Sequence, residues 1–285
     1  MENKYSSQRT APARKTNRRE FCSGVVRLAA GGAAAALLGP RSRAEGDSAY
    51  ERAIPALWRG DFETGDLSQW SGIQARQGGI QVVRFPVLQG RYAAKFLVKH
   101  GDDPLTPPSG NDRAELVGPM ETEGNEAYYR WSTLFPSANF SVHPAFPVQV
   151  KEEAWQVFTQ WHQGSDDVGG SPPIEFAVDR ASIVFHVNKP SNGILYEQWL
   201  NQTIAPLDLD IWHDFLLHVR WSRNDGFVQL WHNGRLVVPL TPLPTMYGEN
   251  NYLKQGYYRS RNITQIGSLF HDGMVKGRTL ASVRY

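Results

Sequence analysis

From Leu57-Trp58 onward the chain is a succession of short apolar runs with polar residues interleaved, broken by Gly, Pro, Asn and Asp. Runs rich in Val, Ile, Phe, Tyr and Trp cover Ile80 to Phe85, Tyr92 to Lys99, Ala127 to Phe135, Trp155 to His162, Ile174 to Val178 and Ser182 to Asn188. Further runs are Trp212 to Trp221, Gly226 to His232 and Arg235 to Pro239. Turn residues at these intervals predict many strands and an all-β domain. The strongest local signal is His232-Asn233-Gly234-Arg235, because Asn-Gly supplies the positive φ angles of a type I′ hairpin. No segment past residue 44 sustains a helical period over three turns, and the prolines oppose long helices; a short helix near Leu67 to Trp70 is the exception expected. The predicted architecture is a two-sheet antiparallel β-sandwich of jelly-roll, concanavalin-like form with one concave face. The domain is expected over residues 56–285, preceded by a linker at 45–55.

The first 44 residues follow another pattern. Thr16-Asn17-Arg18-Arg19-Glu20-Phe21 is a twin-arginine motif, and an Ala/Gly-rich apolar stretch runs from Gly24 to Gly39. Residues 1–44 therefore read as a twin-arginine signal peptide cleaved after Ala44, with a periplasmic or extracellular destination. The apolar stretch, interrupted by Arg27, is too short to span a membrane. These residues hold nine of the 30 Lys/Arg and two of the 28 Asp/Glu, so the net charge of +2 becomes about −5 beyond them. An acidic body excludes non-specific nucleic-acid binding, which needs a basic face. Cys22, the only cysteine, lies in the leader, so the rest can form no disulfide and its stability must come from its core. A monomer is expected.

Chemistry concentrates in three strand-like segments: Asn111-Asp112-Arg113-Ala114-Glu115-Leu116, Thr159-Gln160-Trp161-His162, and Tyr252-Leu253-Lys254-Gln255-Gly256-Tyr257-Tyr258. Side chains alternate along a strand, so Arg113 shares a face with Glu115, Gln160 with His162, and Tyr252 with Lys254 and Tyr258. In Trp155 to His162 the alternation predicts Gln156, Phe158, Gln160 and His162 on one side, with Trp155, Val157, Thr159 and Trp161 toward the core. Converged on one sheet, these groups suit an anionic sugar. Eliminating across C4 and C5 of a 1,4-linked uronate needs donors at the carboxylate, a base for the C5 proton and an acid for the leaving oxygen. Gln160 and Arg113 are candidates to hold the carboxylate, and His162 and Tyr258 to act as base and acid, in either assignment. Lys254 is a candidate for a neighbouring carboxylate, Glu115 for orienting Arg113, and Tyr252 for a second groove tyrosine.

The same segments resemble the signature regions of the jelly-roll polysaccharide lyases. Alginate lyases of this type carry Arg-(Ser/Thr)-Glu-Leu-Arg, Gln-(Ile/Val)-His and Tyr-Phe-Lys-Ala-Gly-x-Tyr-Asn-Gln segments in that order. The chain has Arg113-Ala114-Glu115-Leu116-Val117, Gln160-Trp161-His162 and Tyr252 to Ser260 in the same order. The resemblance implies Arg113, Gln160, His162 and Tyr258 as the active site. Asp61 to Trp70, Trp212-His213-Asp214-Phe215, Trp231 to Gly234 and Phe270-His271-Asp272-Gly273 look closer to glucuronan-lyase and heparin-lyase-I-like relatives. Val117, Trp161 and Arg259-Ser260 depart from the alginate pattern, which favours a glucuronate-type polymer. An outward Trp161 would stack on a sugar, and Arg259 or Arg261 would add an anion contact.

Asp61 and Glu63, with Asp66 and the distant Asp272, form an acidic set that suits a structural Ca²⁺, as related sandwiches often hold; catalysis is expected to need no cofactor. His213, His218 and His232 read as structural, and His186 as the best substitute for His162. Two rival readings remain. A hydrolase on the same sandwich needs two catalytic carboxylates; Glu175 and Asp179 share a face but lack the third acid of the Glu-x-Asp-x-x-Glu signature. A carbohydrate-binding module would bind without turnover.

Overall fold

The structure, a computed structural model, describes residues 55–140, 154–164, 171–190 and 197–284. The leader and residues 45–54 of the linker lie outside them. Fifteen strands follow in chain order. The first six are β1 (Trp58–Gly60), β2 (Gly72–Ala75), β3 (Ile80–Val83), β4 (Ala93–Val98), β5 (Asp112–Thr122) and β6 (Glu126–Leu134). Next come β7 (Gln156–Gln163), β8 (Ile174–Asp179), β9 (Ser182–Asn188), β10 (Gln198–Pro206) and β11 (Trp212–Arg220). The last are β12 (Phe227–His232), β13 (Arg235–Pro242), β14 (Asn250–Arg259) and β15 (Gly267–Gly277). They form two antiparallel sheets. One has the order β13-β12-β11-β6-β15-β4-β3, with β1 also on β15; the other runs β10-β9-β8-β7-β14-β5-β2. The expected sandwich is the observed fold, and Asn233 and Gly234 turn the β12–β13 hairpin with φ of 48° and 75°. The helix expected near Leu67 is instead an isolated turn closed by Trp70 N–H to the Leu67 carbonyl. Among the described residues the only helical segment is one 3₁₀ turn, Leu280–Val283.

Aromatic side chains lock the sheets together. Trp131 on β6 stacks on Phe215 of β11 at 5.2 Å and meets Phe176 of β8 edge-on at 4.9 Å. Phe158 and Trp161 of β7 reach Phe215 and Trp221 across the same gap. Burying each such ring contributes about 1.5–3 kcal/mol, and this core replaces the missing disulfides.

Two local irregularities shape the outer face of the second sheet. On β7, Val157 pairs with Ala177 but Thr159 pairs with Phe176, so one extra residue is inserted at Phe158. The bulge reverses the alternation there. Phe158 is buried in the main core, Gln156 accepts the Tyr257 hydroxyl within it, and Val157 joins Ala177, Val184, Trp155 and Tyr258 in a separate apolar cluster. The uniform alternation predicted for Trp155 to His162 is thus corrected: Gln160 and His162 face outward, Gln156 and Phe158 do not. On β14, a Cβ on Gly256 would lie 2.2 Å from the Ala114 carbonyl oxygen and 2.7 Å from the Glu115 Cα. Only glycine lets β14 come this close to β5 beside Glu115.

Candidate functional site

β14 lies between β5 and β7, and this order assembles the three sequence segments. Tyr258 pairs with Arg113 and Gly256 with Glu115 on one side; Lys254 pairs with Gln160 and Tyr252 with His162 on the other. Register partners project side chains to the same face, so all eight positions, seven of them with side chains, share the outer face.

Glu115 is the hub. Its carboxylate accepts from Arg113 Nη1 at 3.1 Å, Lys254 Nζ at 2.6 Å and Gln160 Nε2 at 2.5 Å, and all four residues are almost wholly buried. Burial alone would raise the Glu115 carboxyl, but the Lys254 and Arg113 charges outweigh it and hold it below the usual range. Burial, with the Arg113 charge, lowers the Lys254 ammonium. Two cations on one carboxylate leave a net positive cluster. Its donors are not exhausted, since an ammonium has three N–H groups and an amide nitrogen two.

His162 stands one register step beyond Gln160. Its Nδ1 lies 2.9 Å from the Gln163 carbonyl oxygen. A carbonyl only accepts, so Nδ1 carries the proton and Nε2 keeps its lone pair. Burial lowers the His162 pKa, and Lys254 and Arg113 push the same way, so the imidazole is neutral near pH 7. The Tyr252 ring faces it at 5.5 Å.

Tyr258 lies on the other side of the cluster, farther along β14. It pairs with Val157, six residues along β14 from Tyr252, so its backbone is roughly 20 Å from that of Tyr252 at about 3.3 Å per residue. The Arg113 guanidinium lies over its ring at 4.0 Å and Trp155 meets its edge at 4.6 Å. Burial raises its pKa, so it is a neutral phenol packed on Arg113. Tyr258 still borders the same cluster, with Lys254 Nζ 5.7 Å from its ring, while the tyrosine in register with His162 is Tyr252.

Other expectations also change. Trp161 points inward against Tyr129, Trp131 and Trp221 and is fully buried, so it stacks on no sugar. Arg259 is fully buried on the inner side beside the Tyr257 ring and Asp112, because it is one residue out of phase with Tyr258. Asp61, Glu63 and Asp272 form no metal-holding group, and no such group occurs among the described residues. Asp61 accepts from the Gln69 amide, Glu63 takes the Arg91 and Tyr92 backbone N–H groups, and Asp272 takes those of Leu88 and Gln89. Burial, with the nearby Glu63 charge, pushes Asp272 up to about 7. These carboxylates pin loops, while Asp272 Oδ1 stays buried without a hydrogen-bond partner.

Tyr247, in the loop before β14, went unnoticed in the sequence because it lies outside any alternating run. Its hydroxyl is 3.5 Å from Gln163 Oε1, and burial with the Glu175 charge raises its pKa. Ser109 was missed likewise; its hydroxyl accepts from Arg113 Nη2 at 3.1 Å.

Comparisons with known proteins bear on the family and the fold. A family model described as "Polysaccharide lyase" matches residues 62–275. A search of curated sequences finds no match. Among solved structures, the endo-β-1,4-glucuronan lyase of the fungus Trichoderma reesei superposes with a TM-score of 0.56 at 15% identity, covering 75% of this chain and 93% of that one. A GH131 β-glucanase catalytic domain from Podospora anserina gives 0.53 at 13% identity over 80% and 98%. A glycoside hydrolase family 131 catalytic domain from Coprinopsis cinerea gives 0.53 at 13% over 81% and 98%. At these identities the likeness is one of fold.

Proposed function

Because the chain belongs to the polysaccharide lyase family, we propose that it cleaves a 1,4-linked, uronate-containing anionic polysaccharide by β-elimination, as an exported enzyme. The observation that carries this reading is the neutral His162, opposite Tyr252 and one register step from the cationic Lys254–Gln160–Arg113 cluster. The cluster binds the uronate carboxylate and stabilises the charge that spreads into it as the C5–H bond breaks. His162 Nε2 accepts that proton. The electron pair forms the C4–C5 double bond and expels the C4 oxygen, which Tyr252 protonates. The products are a chain with an unsaturated uronate at its new non-reducing end and a chain with a free hydroxyl. No cofactor enters these steps.

A hydrolase is the second reading, because Glu175 pairs with Gln160 in register and so stands on the same face as Glu115, which bonds Gln160 from the other side. Hydrolysis needs one carboxyl that stays protonated. Glu115 is held low by two cations, which suits a structural anion rather than an acid. Incubating the purified protein with glucuronan, alginate, heparin, hyaluronan and pectate and following ultraviolet absorbance tests the proposal. A rise on one polymer is expected; new reducing ends without absorbance would make the protein a hydrolase.

A further inference from the structure

The polar row that crosses the outer face does not end at Gln160. Gln160 pairs with Glu175 on β8, Glu175 with His186 on β9, and His186 with Asn201 on β10. Neighbouring strands lie about 4.8 Å apart, close to the length of one sugar unit, so a chain laid across the sheet places a new sugar over each strand or so. Over β14 and β7 it meets Lys254, Gln160 and His162. Over β8 and β9 it meets Glu175 and His186.

That second position has the opposite chemistry to the first. Glu175 Oε1 is 2.8 Å from His186 Nδ1, and each side chain is 14% exposed. Among the described residues no lysine or arginine is paired with Glu175. A carboxylate of the substrate placed here would meet the Glu175 carboxylate, and two like charges at contact distance repel. Hydroxyl groups would be received well: they donate to the free Glu175 oxygen and accept from, or donate to, the outer nitrogen of His186.

We propose that Glu175 and His186 form a specificity subsite for an uncharged sugar unit beside the scissile uronate, so that the preferred substrate is a polymer alternating uronate with neutral sugars rather than an uninterrupted uronate chain. This rests on the lyase reading of His162 and Tyr252. Neither Glu175 nor His186 takes part in the bond breaking; they act through what they accept next to it.

The test compares initial rates of unsaturated-product formation on an alternating polymer (hyaluronan or a desulfated heparin precursor) and on uronate homopolymers (glucuronan and alginate), for the wild type, Glu175→Gln and His186→Gln. The wild type is expected to show at least tenfold higher kcat/KM on an alternating polymer. Glu175→Gln should lower KM on a homopolymer severalfold and raise it on the alternating one, so that the preference narrows or inverts, with kcat little changed. A wild-type preference for a homopolymer overturns the proposal. So does an equal loss on both polymers in Glu175→Gln, which would make Glu175 part of the general machinery. Absence of unsaturated product from every polymer, with circular dichroism showing a folded protein, removes the lyase reading and the subsite with it.

Discussion

The two ends of β14 carry similar residues on the same face, yet they sit in different surroundings. At one end Tyr252 faces a neutral imidazole, with Lys254 next along the strand. At the other, Tyr258 lies on Arg113 and against Trp155, beside the apolar cluster of Val157, Ala177 and Val184. A phenol acts as acid or base when its own hydroxyl reaches the atom with which it exchanges a proton. One packed on a guanidinium contributes about 0.5–2 kcal/mol of cation–π attraction and holds that guanidinium in place. The cross-strand neighbour therefore sets the role, and register decides the neighbour.

The largest expected effect breaks the reactive end outright. His162→Ala should reduce kcat on the cleaved polymer by about 10²–10⁴-fold with the melting temperature almost unchanged, measured by absorbance and calorimetry. A variant retaining a tenth of the activity would remove His162 as base. Gly256→Ala affects both ends, because its methyl group must displace the β5 backbone at Ala114 and Glu115. Destabilisation of about 1–3 kcal/mol, lowering the melting temperature by several degrees, should accompany loss of activity. A variant as stable and active as the wild type would show that the strands are not in this contact.

The pH profile sharpens the comparison further. The base must be unprotonated, and burial with the Lys254 and Arg113 charges holds His162 below its ordinary 6.5. The acid limb of kcat/KM should therefore fall below pH 6.5, and a limb at or above that value would contradict the cationic setting. The smallest effect lies away from the site. The Asp272 pKa is raised to about 7 from 3.8, so the folded state binds more protons than the unfolded one between these values. The stability this contributes is complete below about 3.8 and is lost as pH rises through 7. Asp272→Asn, which keeps an acceptor for the Leu88 and Gln89 amides, should flatten that loss. The gap in melting temperature between variant and wild type should widen in the variant's favour by roughly 5 °C or more from pH 5 to pH 8; an unchanged gap would mean that Asp272 does not change its protonation in that range.

Most strands, the two-sheet architecture and the shared face of Gln160 and His162 were legible in the sequence because period-two patterns and turn residues are local, whereas β1, β2, β10 and β15 lay outside the runs read as strands. What failed was phase and register. The bulge at Phe158 inserts one residue and moves Val157 outward and Phe158 inward, and nothing in Trp155 to His162 marks it. The choice between Tyr252 and Tyr258 depends on which residue of β7 each faces, a property of two strands about 90 positions apart. Arg259 and Trp161 look like surface sugar contacts by composition. Both are buried, because each is one residue out of phase with the outer set.

The most direct measurement is the initial rate of unsaturated-uronate formation by Tyr252→Phe and Tyr258→Phe, side by side on the cleaved polymer at one pH. Tyr252→Phe should lose at least 100-fold in kcat while Tyr258→Phe, which keeps its ring over Arg113, stays within a few-fold of the wild type. The reverse order would place the proton chemistry at the Arg113 end and contradict the account.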